Sequence, residues 1–306
     1  MNPLHRVGGR LVDGLVSGAV DRAVNPARDH GPLREAVEGR TVLVTGASYG
    51  LGEATARLLA GSGATLALLA RTESRLVELA DELRAGGTRV SVHPADLNTP
   101  ESLGDVADKI LAEHGHLDVV VNNAGKSLRR SLALQHDRFH DFSRTMNVNY
   151  LGPVSLLLHL LPAMRRRGAG HVVNISTIGV RLPPTPRWGA YQASKGAFDT
   201  WLRSVTPELE PDGVDVSTIY MALMHTRMSA PTPIMRRLPG LDPDEAAELV
   251  ARALVSRQRE VAPWWVRPAG VPEVLGRGAY SAALRRLYER SADSARAQGL
   301  ADGADA

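Results

Sequence analysis

The feature that most limits how this chain can fold is an alternation that begins near residue 40. Short runs rich in β-branched and apolar residues (41–45, 64–70, 89–93, 117–121, 171–176 and 214–220) read as strands. Between them lie helical patterns: one to about 60, others over 73–84 and 100–114, a long one to 167 broken near Asn149, and one over 191–210. Strands joined in turn through helices make right-handed crossovers, and these build a parallel sheet with helices on both faces. The expected fold is therefore α/β: a doubly wound parallel sheet in a three-layer α/β/α domain. Ligands of such sheets bind beyond the carboxyl ends of the strands, and the motifs below all fall at such ends.

The first strand runs into Thr45-Gly46-Ala47-Ser48-Tyr49-Gly50-Leu51-Gly52. Glycines there allow a tight turn and close approach of the backbone to a diphosphate, and the helix that follows offers unpaired N–H donors. Gly46, Ser48, Tyr49, Gly50, Leu51 and Gly52 are thus candidates for binding a dinucleotide. An acidic residue at the end of the second strand would hold the ribose hydroxyls and repel a 2′-phosphate. This chain has Ala70-Arg71-Thr72 instead, and a guanidinium can pair with a phosphate through two parallel hydrogen bonds. Arg71 and Thr72 therefore favour NADP(H) over NAD(H). Asp96-Leu97 after the third strand suits the adenine edge, and Asn123-Ala124-Gly125 after the fourth places small residues where the chain passes the cofactor.

Tyr191-Gln192-Ala193-Ser194-Lys195 sets a phenol and an ammonium one helical turn apart on one face. A phenol of pKa near 10 is a poor acid or base at neutral pH, and a nearby ammonium lowers it. Tyr191 could then give a proton to a carbonyl oxygen under reduction or take one from an alcohol, while Lys195 also holds the nicotinamide ribose.

Together these residues resemble the short-chain dehydrogenase/reductase family, over about 41–226. The resemblance implies a Rossmann-like fold and an NAD(P)-dependent oxidoreductase with a Ser, Tyr, Lys and Asn site. Tyr191 and Lys195 match directly, and Asn149 matches the asparagine that interrupts the long helix. Thr226 matches a threonine touching the nicotinamide carboxamide, although Met221-Ala222 stands where Pro-Gly is usual. Where relatives commonly end the fifth strand in two serines and use the second, this chain has Ser176-Thr177. The match implies Thr177 as the substrate-orienting hydroxyl, with Ser176 as the alternative.

Ser127-Leu128-Arg129-Arg130-Ser131, the run from Asp137 to Phe142 and the stretches Ile219–Met221 and Thr226–Thr232 resemble the bacterial fatty acyl-CoA reductase branch. This implies reduction of a long acyl thioester to an aldehyde with NADPH. The alternatives are an NADP-dependent alcohol/ketone dehydrogenase acting on a steroid- or polyketide-like substrate and, in another class, a non-catalytic NADP(H)-binding sensor. A Pro- and Met-rich segment over about 221–240, with Met221, Leu223, Met224, Met228, Ile234 and Met235, is expected to form an apolar lid or to pack in the core. The family also implies a homodimer or homotetramer, for which Leu156, Leu157, Leu158, Leu160 and Leu161 would supply apolar area unless the chain's own core uses them.

Composition narrows the partners. A formal net charge of +3 is too small to argue for nucleic acid. Arg165-Arg166-Arg167 reads as a solvated cluster or an anion-binding rim for a phosphorylated carrier. The absence of cysteine excludes disulfides and thiolate metal sites, and no His, Cys or Glu spacing suggests zinc. No apolar run is long enough to cross a membrane, and the start lacks the apolar core of a signal peptide. The expected location is the cytoplasm. Apolar residues at helical spacing over 4–24 could pack on the protein or lie on a membrane surface. The expected organisation is an N-terminal helical extension (1–39), a catalytic domain (40–262) and a C-terminal extension (263–306) with a frayed end.

Overall fold

The computed structural model describes residues 30–230, 232, 235, 238–266 and 276–299. The helical pattern over 4–24, Ile234 and the last residues of the tail lie outside these. Seven strands form one parallel sheet in the order β3-β2-β1-β4-β5-β6-β7. They are β1 (Thr41–Thr45), β2 (Thr65–Ala70), β3 (Val90–Pro94), β4 (Val119–Asn122), β5 (Gly170–Thr177), β6 (Val214–Met221) and β7 (Glu260–Val261). The order reverses between β1 and β4, and a doubly wound sheet binds its ligand at that switch point. The short β7 had no sequence signal, because two residues are too few to show an alternation.

Ten α-helices accompany the sheet among the described residues: α1 (Gly31–Val37), α2 (Gly50–Gly61), α3 (Glu73–Ala85), α4 (Leu103–His114), α5 (Phe139–Met146), α6 (Gly152–Arg167), α7 (Gly189–Leu209), α8 (Pro243–Ser256), α9 (Arg277–Glu289) and α10 (Ala295–Gln298). The central strands are buried on both faces, and their side chains alternate between two cores. Val42, Val44, Leu66, Leu68, Val119, Val121, Val173 and Ile175 point to the core shared with α1, α2, α3 and α8. Leu43, Ala67, Leu69, Val120 and Val172 point to the core shared with α4, α6 and α7. α8 begins with a full capping box: Asp242 accepts from the Glu245 N–H at 2.8 Å and Glu245 from the Asp242 N–H at 2.9 Å.

Several leucines and methionines are already spoken for by these cores. Leu156, Leu157, Leu160 and Leu161 pack inside, leaving Leu158 of that group exposed. Met221 ends β6 in the core, and Met224 packs against it while bridging to Leu241. Met228 alone of these three methionines is largely exposed. Within the Arg165–Arg167 cluster, Arg165 pairs with Asp212 at 2.5 Å and Arg167 with Asp118 at 2.8 Å. These pairs sit at the C-terminal end of α6, away from the carboxyl ends of the strands. Among the described residues no helix is long and apolar enough to cross a membrane.

Candidate active site

The glycine-rich turn is shaped by what its glycines leave room for. Gly46 is left-handed (φ +69°), and a Cβ on it would stand 2.8 Å from the Ala124 Cα. A Cβ on Gly52 would stand 2.2 Å from the Gly46 carbonyl oxygen. No other residue fits either position without moving backbone. Thr45 and Asn123 then tie the turn to the end of β4. The Thr45 hydroxyl accepts from the N–H groups of Asn123 and Ala124, each at 3.0 Å, and the Asn123 amide donates to the Thr45 carbonyl at 2.9 Å. Asn123 therefore holds the cradle's shape with its side chain. Leu51 and Leu97 are buried core residues, so their side chains anchor the turn and the β3 end rather than reach a ligand. The 12-residue α2 begins at Gly50 and aims its unpaired N–H groups at this cradle. A glycine turn packed this closely, at a helix N-terminus, fits a dinucleotide diphosphate.

At the end of β2, the Arg71 side chain is half exposed, with its guanidinium 4.0 Å from the Asp96 carboxylate. Thr72 precedes α3 and makes no capping bond with its side chain. Tyr49 stands between two further guanidinium groups, Arg227 at 4.4 Å and Arg75 at 5.4 Å from its ring centre. The Thr226 methyl lies 3.6 Å from where a Cβ on Gly50 would be. The segment after β6 thus closes onto the glycine turn.

The second half of the site is built on α5, α6 and α7. Between α5 and α6 the chain forms one π-helical turn, Asn147–Leu151. Such a turn is the helix interruption that the sequence placed near Asn149, and it turns that side chain inward. The turn closes at Gly152, where a Cβ would stand 2.3 Å from the Leu97 carbonyl oxygen. Asn149 is fully buried. Its Oδ1 accepts from the Lys126 N–H at 2.7 Å, and its Nδ2 donates to the Lys126 carbonyl and the Ser194 hydroxyl, both at 2.9 Å. Ser194 in turn donates to the Tyr191 carbonyl at 2.9 Å. Lys126 and Ser194 were not singled out in the sequence, since their part in the site is made through backbone groups and a neighbour's amide.

Lys195 is buried, and its ammonium donates to the Ile175 carbonyl at 3.0 Å. A Cβ on Gly125 would stand 3.2 Å from both Lys195 Nζ and Asn149 Oδ1, so a side chain there would crowd this pair. Burial holds the Lys195 pKa down to about 8. The Tyr191 phenol is raised above its ordinary value by burial, with a hydrogen bond to the Thr177 side chain pulling the other way. A neighbouring ammonium alone would lower the phenol. In this arrangement burial is the larger effect, and the phenol stays protonated at neutral pH.

The two adjacent hydroxyls at the end of β5 are not equivalent. Thr177 is half-buried, bonds Tyr191, and accepts from the Gly179 N–H at 3.1 Å. The Ser176 hydroxyl points away on the alternate face of the strand, buried and without a hydrogen-bond partner. Gln192 steadies the intervening loop by donating to the Gly179 carbonyl at 2.7 Å and accepting from the Thr185 N–H at 2.9 Å.

Among the described residues one group of possible metal ligands comes together: His93, Glu113 and His114. The 20 or so residues separating His93 from the other two hid it from the sequence. The Ser91 hydroxyl bridges both imidazoles, at 2.8 and 2.7 Å. The group lies on the edge strand β3 and the end of α4, apart from Tyr191 and Lys195.

A profile of the family described as short chain dehydrogenase matches residues 40–236. The chain belongs to that family. It is an NAD(P)-dependent oxidoreductase of short-chain dehydrogenase type. A fatty acyl-CoA reductase of Acinetobacter baylyi is 42% identical over 230 residues, covering 75% of this chain and 78% of the relative. A protein of Mycobacterium bovis named an uncharacterized oxidoreductase is 41% identical over 271 residues, or 87% of this chain and 79% of the relative. Among solved structures, a metagenomic short-chain oxidoreductase in complex with NADP is 31% identical, with a TM-score of 0.63 over 74% of this chain and 99% of the other.

Proposed function

We propose that this short-chain dehydrogenase is an NADPH-dependent reductase acting on the carbonyl of an apolar substrate, with long-chain fatty acyl-CoA as the preferred substrate and the aldehyde as product. The observation that carries the reading is the meeting of the Tyr191 phenol with the Thr177 hydroxyl, one helical turn from the buried Lys195 ammonium. A phenol so placed can give a proton to a carbonyl oxygen under reduction. The acyl-CoA reading is supported by the 42% identity to a fatty acyl-CoA reductase, and the NADPH reading by Arg71 and Thr72 where an acidic residue would exclude a 2′-phosphate.

The reduced nicotinamide, when bound, supplies the hydride that the carbonyl carbon accepts. Gly46, Gly50 and Gly52 and the start of α2 would hold its diphosphate, and Arg71 with Thr72 its 2′-phosphate. Thr177 orients the substrate carbonyl oxygen, and Tyr191 gives that oxygen a proton as charge develops on it. Lys195 favours the phenolate left behind, and Asn149, fixed by Lys126 and Ser194, maintains the packing through which that proton is replaced. With a thioester, the hemithioacetal so formed expels the thiol to leave the aldehyde. We further infer that the enzyme works as a homo-oligomer, as the family commonly does.

The test follows NADPH absorbance with palmitoyl-CoA, a long-chain aldehyde, a bulky ketone, and an alcohol with NADP⁺. Oxidation of NADPH by palmitoyl-CoA, reduced at least 100-fold in Tyr191→Phe, is the expected result. Turnover of the ketone or alcohol but not of palmitoyl-CoA would replace the acyl-CoA reading with that of an alcohol/ketone dehydrogenase. Tight NADPH binding without turnover of any of them would favour a sensor.

A further inference from the structure

The C-terminal segment makes its polar contacts with two loops that flank the reaction centre. One loop follows β4 and Gly125 and carries Arg129, Arg130 and Ser131. The other precedes α7 and ends in Arg187 and Trp188. The two are joined to each other by the Arg130 N–H, which donates to the Arg187 carbonyl at 2.9 Å. Trp188 lies against Tyr191, ring centres 5.7 Å apart.

Arg187 is the centre of the contact. It adopts a left-handed backbone (φ +71°), a conformation that disfavours any residue with a side chain. The strain is offset by what the side chain reaches. Its guanidinium donates to the Ser291 hydroxyl at 2.6 Å and the Ser291 carbonyl at 2.7 Å, lies 4.3 Å from the centre of the Tyr288 ring, and stands 3.4 Å from the Asp293 carboxylate. The Arg187 and Asp293 side chains are only 6% and 10% exposed, so neither charge is left to water. Asp293 also accepts from the Ser131 N–H at 2.9 Å, and the Ala292 carbonyl accepts from Arg129 at 2.9 Å. Residues 288–293 are therefore bonded to both loops at once.

We propose that residues 288–293 form a cover over the substrate entrance, latched by Arg187, and that the cover decides how bulky a carbonyl compound can reach Tyr191. Arg187 is a positioning residue in this scheme, since it acts on the substrate only through the segment it holds. The cover extends the reading of the site given above and would serve any carbonyl substrate there. A substrate too large for the latched opening must displace Asp293 from Arg187, which breaks a buried ion pair. Small substrates pass without doing so.

The chain has no cysteine, so Thr177→Cys introduces a single thiol beside Tyr191, and its labelling reads access to the site without any need for turnover. In the full-length protein, a small maleimide and a maleimide carrying a bulky polymer are reacted with this thiol, with and without Arg187→Ala. The expected result is at least a tenfold faster reaction of the bulky reagent in the Arg187→Ala background, with the small reagent within twofold. Asp293→Asn, which alters the cover and leaves the α7 loop intact, gives the same pattern to a lesser degree and serves if Arg187→Ala fails to fold. In the Thr177 enzyme, Arg187→Ala lowers KM for the longest substrates while NADPH affinity stays within twofold. Equal labelling by both reagents in every variant would overturn the cover. Failure of all substrates to turn over would instead sink the reductase reading and leave the labelling result standing.

Discussion

Lys195 sets the chemistry of the site against the stability of the fold. Its pKa falls from 10.5 to about 8 on burial. At about 1.4 kcal/mol per pKa unit, folding disfavours the charged ammonium by about 3 kcal/mol. Lys195→Met keeps the length of the side chain and removes the charge. It also removes the hydrogen bond to the Ile175 carbonyl, which costs about 1 kcal/mol. The variant is therefore expected to be more stable than the wild type by about 2 kcal/mol at pH 7, or about 4 °C in Tm, and to be inactive. The sign of the pH dependence follows from the depressed pKa. Below pH 8 the lysine is charged in both folded and unfolded chains, so its full cost is present. Between pH 8 and 10.5 the unfolded chain keeps a proton that the folded chain has lost, and wild-type stability rises with pH. The advantage of Lys195→Met should thus shrink to near zero by pH 9.5. Urea denaturation of both proteins at pH 7, 8, 9 and 9.5 measures it, and taking the difference cancels every other titrating group. A less stable variant at pH 7, or a difference that stays flat across the series, would refute the reasoning.

Three further outcomes follow from the geometry. Gly52→Ala forces a methyl group to within 2.2 Å of a backbone oxygen; it should destabilise the fold by about 3 kcal/mol in chemical denaturation and weaken NADPH binding at least tenfold in a fluorescence titration. Ser176→Ala removes a buried hydroxyl that has no partner, so stability should hold or rise by about 1 kcal/mol with kcat within threefold, whereas Thr177→Ala should lower kcat about 100-fold; a larger loss from Ser176→Ala would exchange their roles. Arg71→Ala should raise the Kd for NADPH about tenfold, as expected for one exposed charge-assisted contact, and leave that for NADH within twofold; equal losses for both cofactors would remove Arg71 from the 2′-phosphate site.

The sheet was legible in the sequence because its strands are buried on both faces and its crossovers are helical. Six strand runs therefore stand out as apolar segments between amphipathic ones. The glycine turn and the pair Tyr191 and Lys195 were legible for a similar reason, since each is a local pattern tied to one element. What sequence could not show depends on which way a side chain turns. Ser176 and Thr177 are neighbours in the chain, yet strand pleating sends one to a partnerless buried site and the other to Tyr191. Leu97 reads as a cofactor residue by position but is claimed by the core beneath α6. Contacts made across long separations left no local mark: Arg187 and Asp293 are more than 100 residues apart, and His93 meets His114 only because β3 and α4 pack together.

The sheet divides the interior into two compartments that share strands but not side chains. The helices that shape the cofactor cradle, α2 and α3, pack with α8 on one side, while α6 and α7, which carry the proton-donating machinery, pack with α4 on the other. Substitutions far apart and without shared neighbours add in their effects. Changes deep in one core therefore need little compensation in the other. The exception is the rim where the two meet: Gly46 lies against Ala124, and Gly125 against Lys195 and Asn149, so changes there are felt on both sides of the sheet.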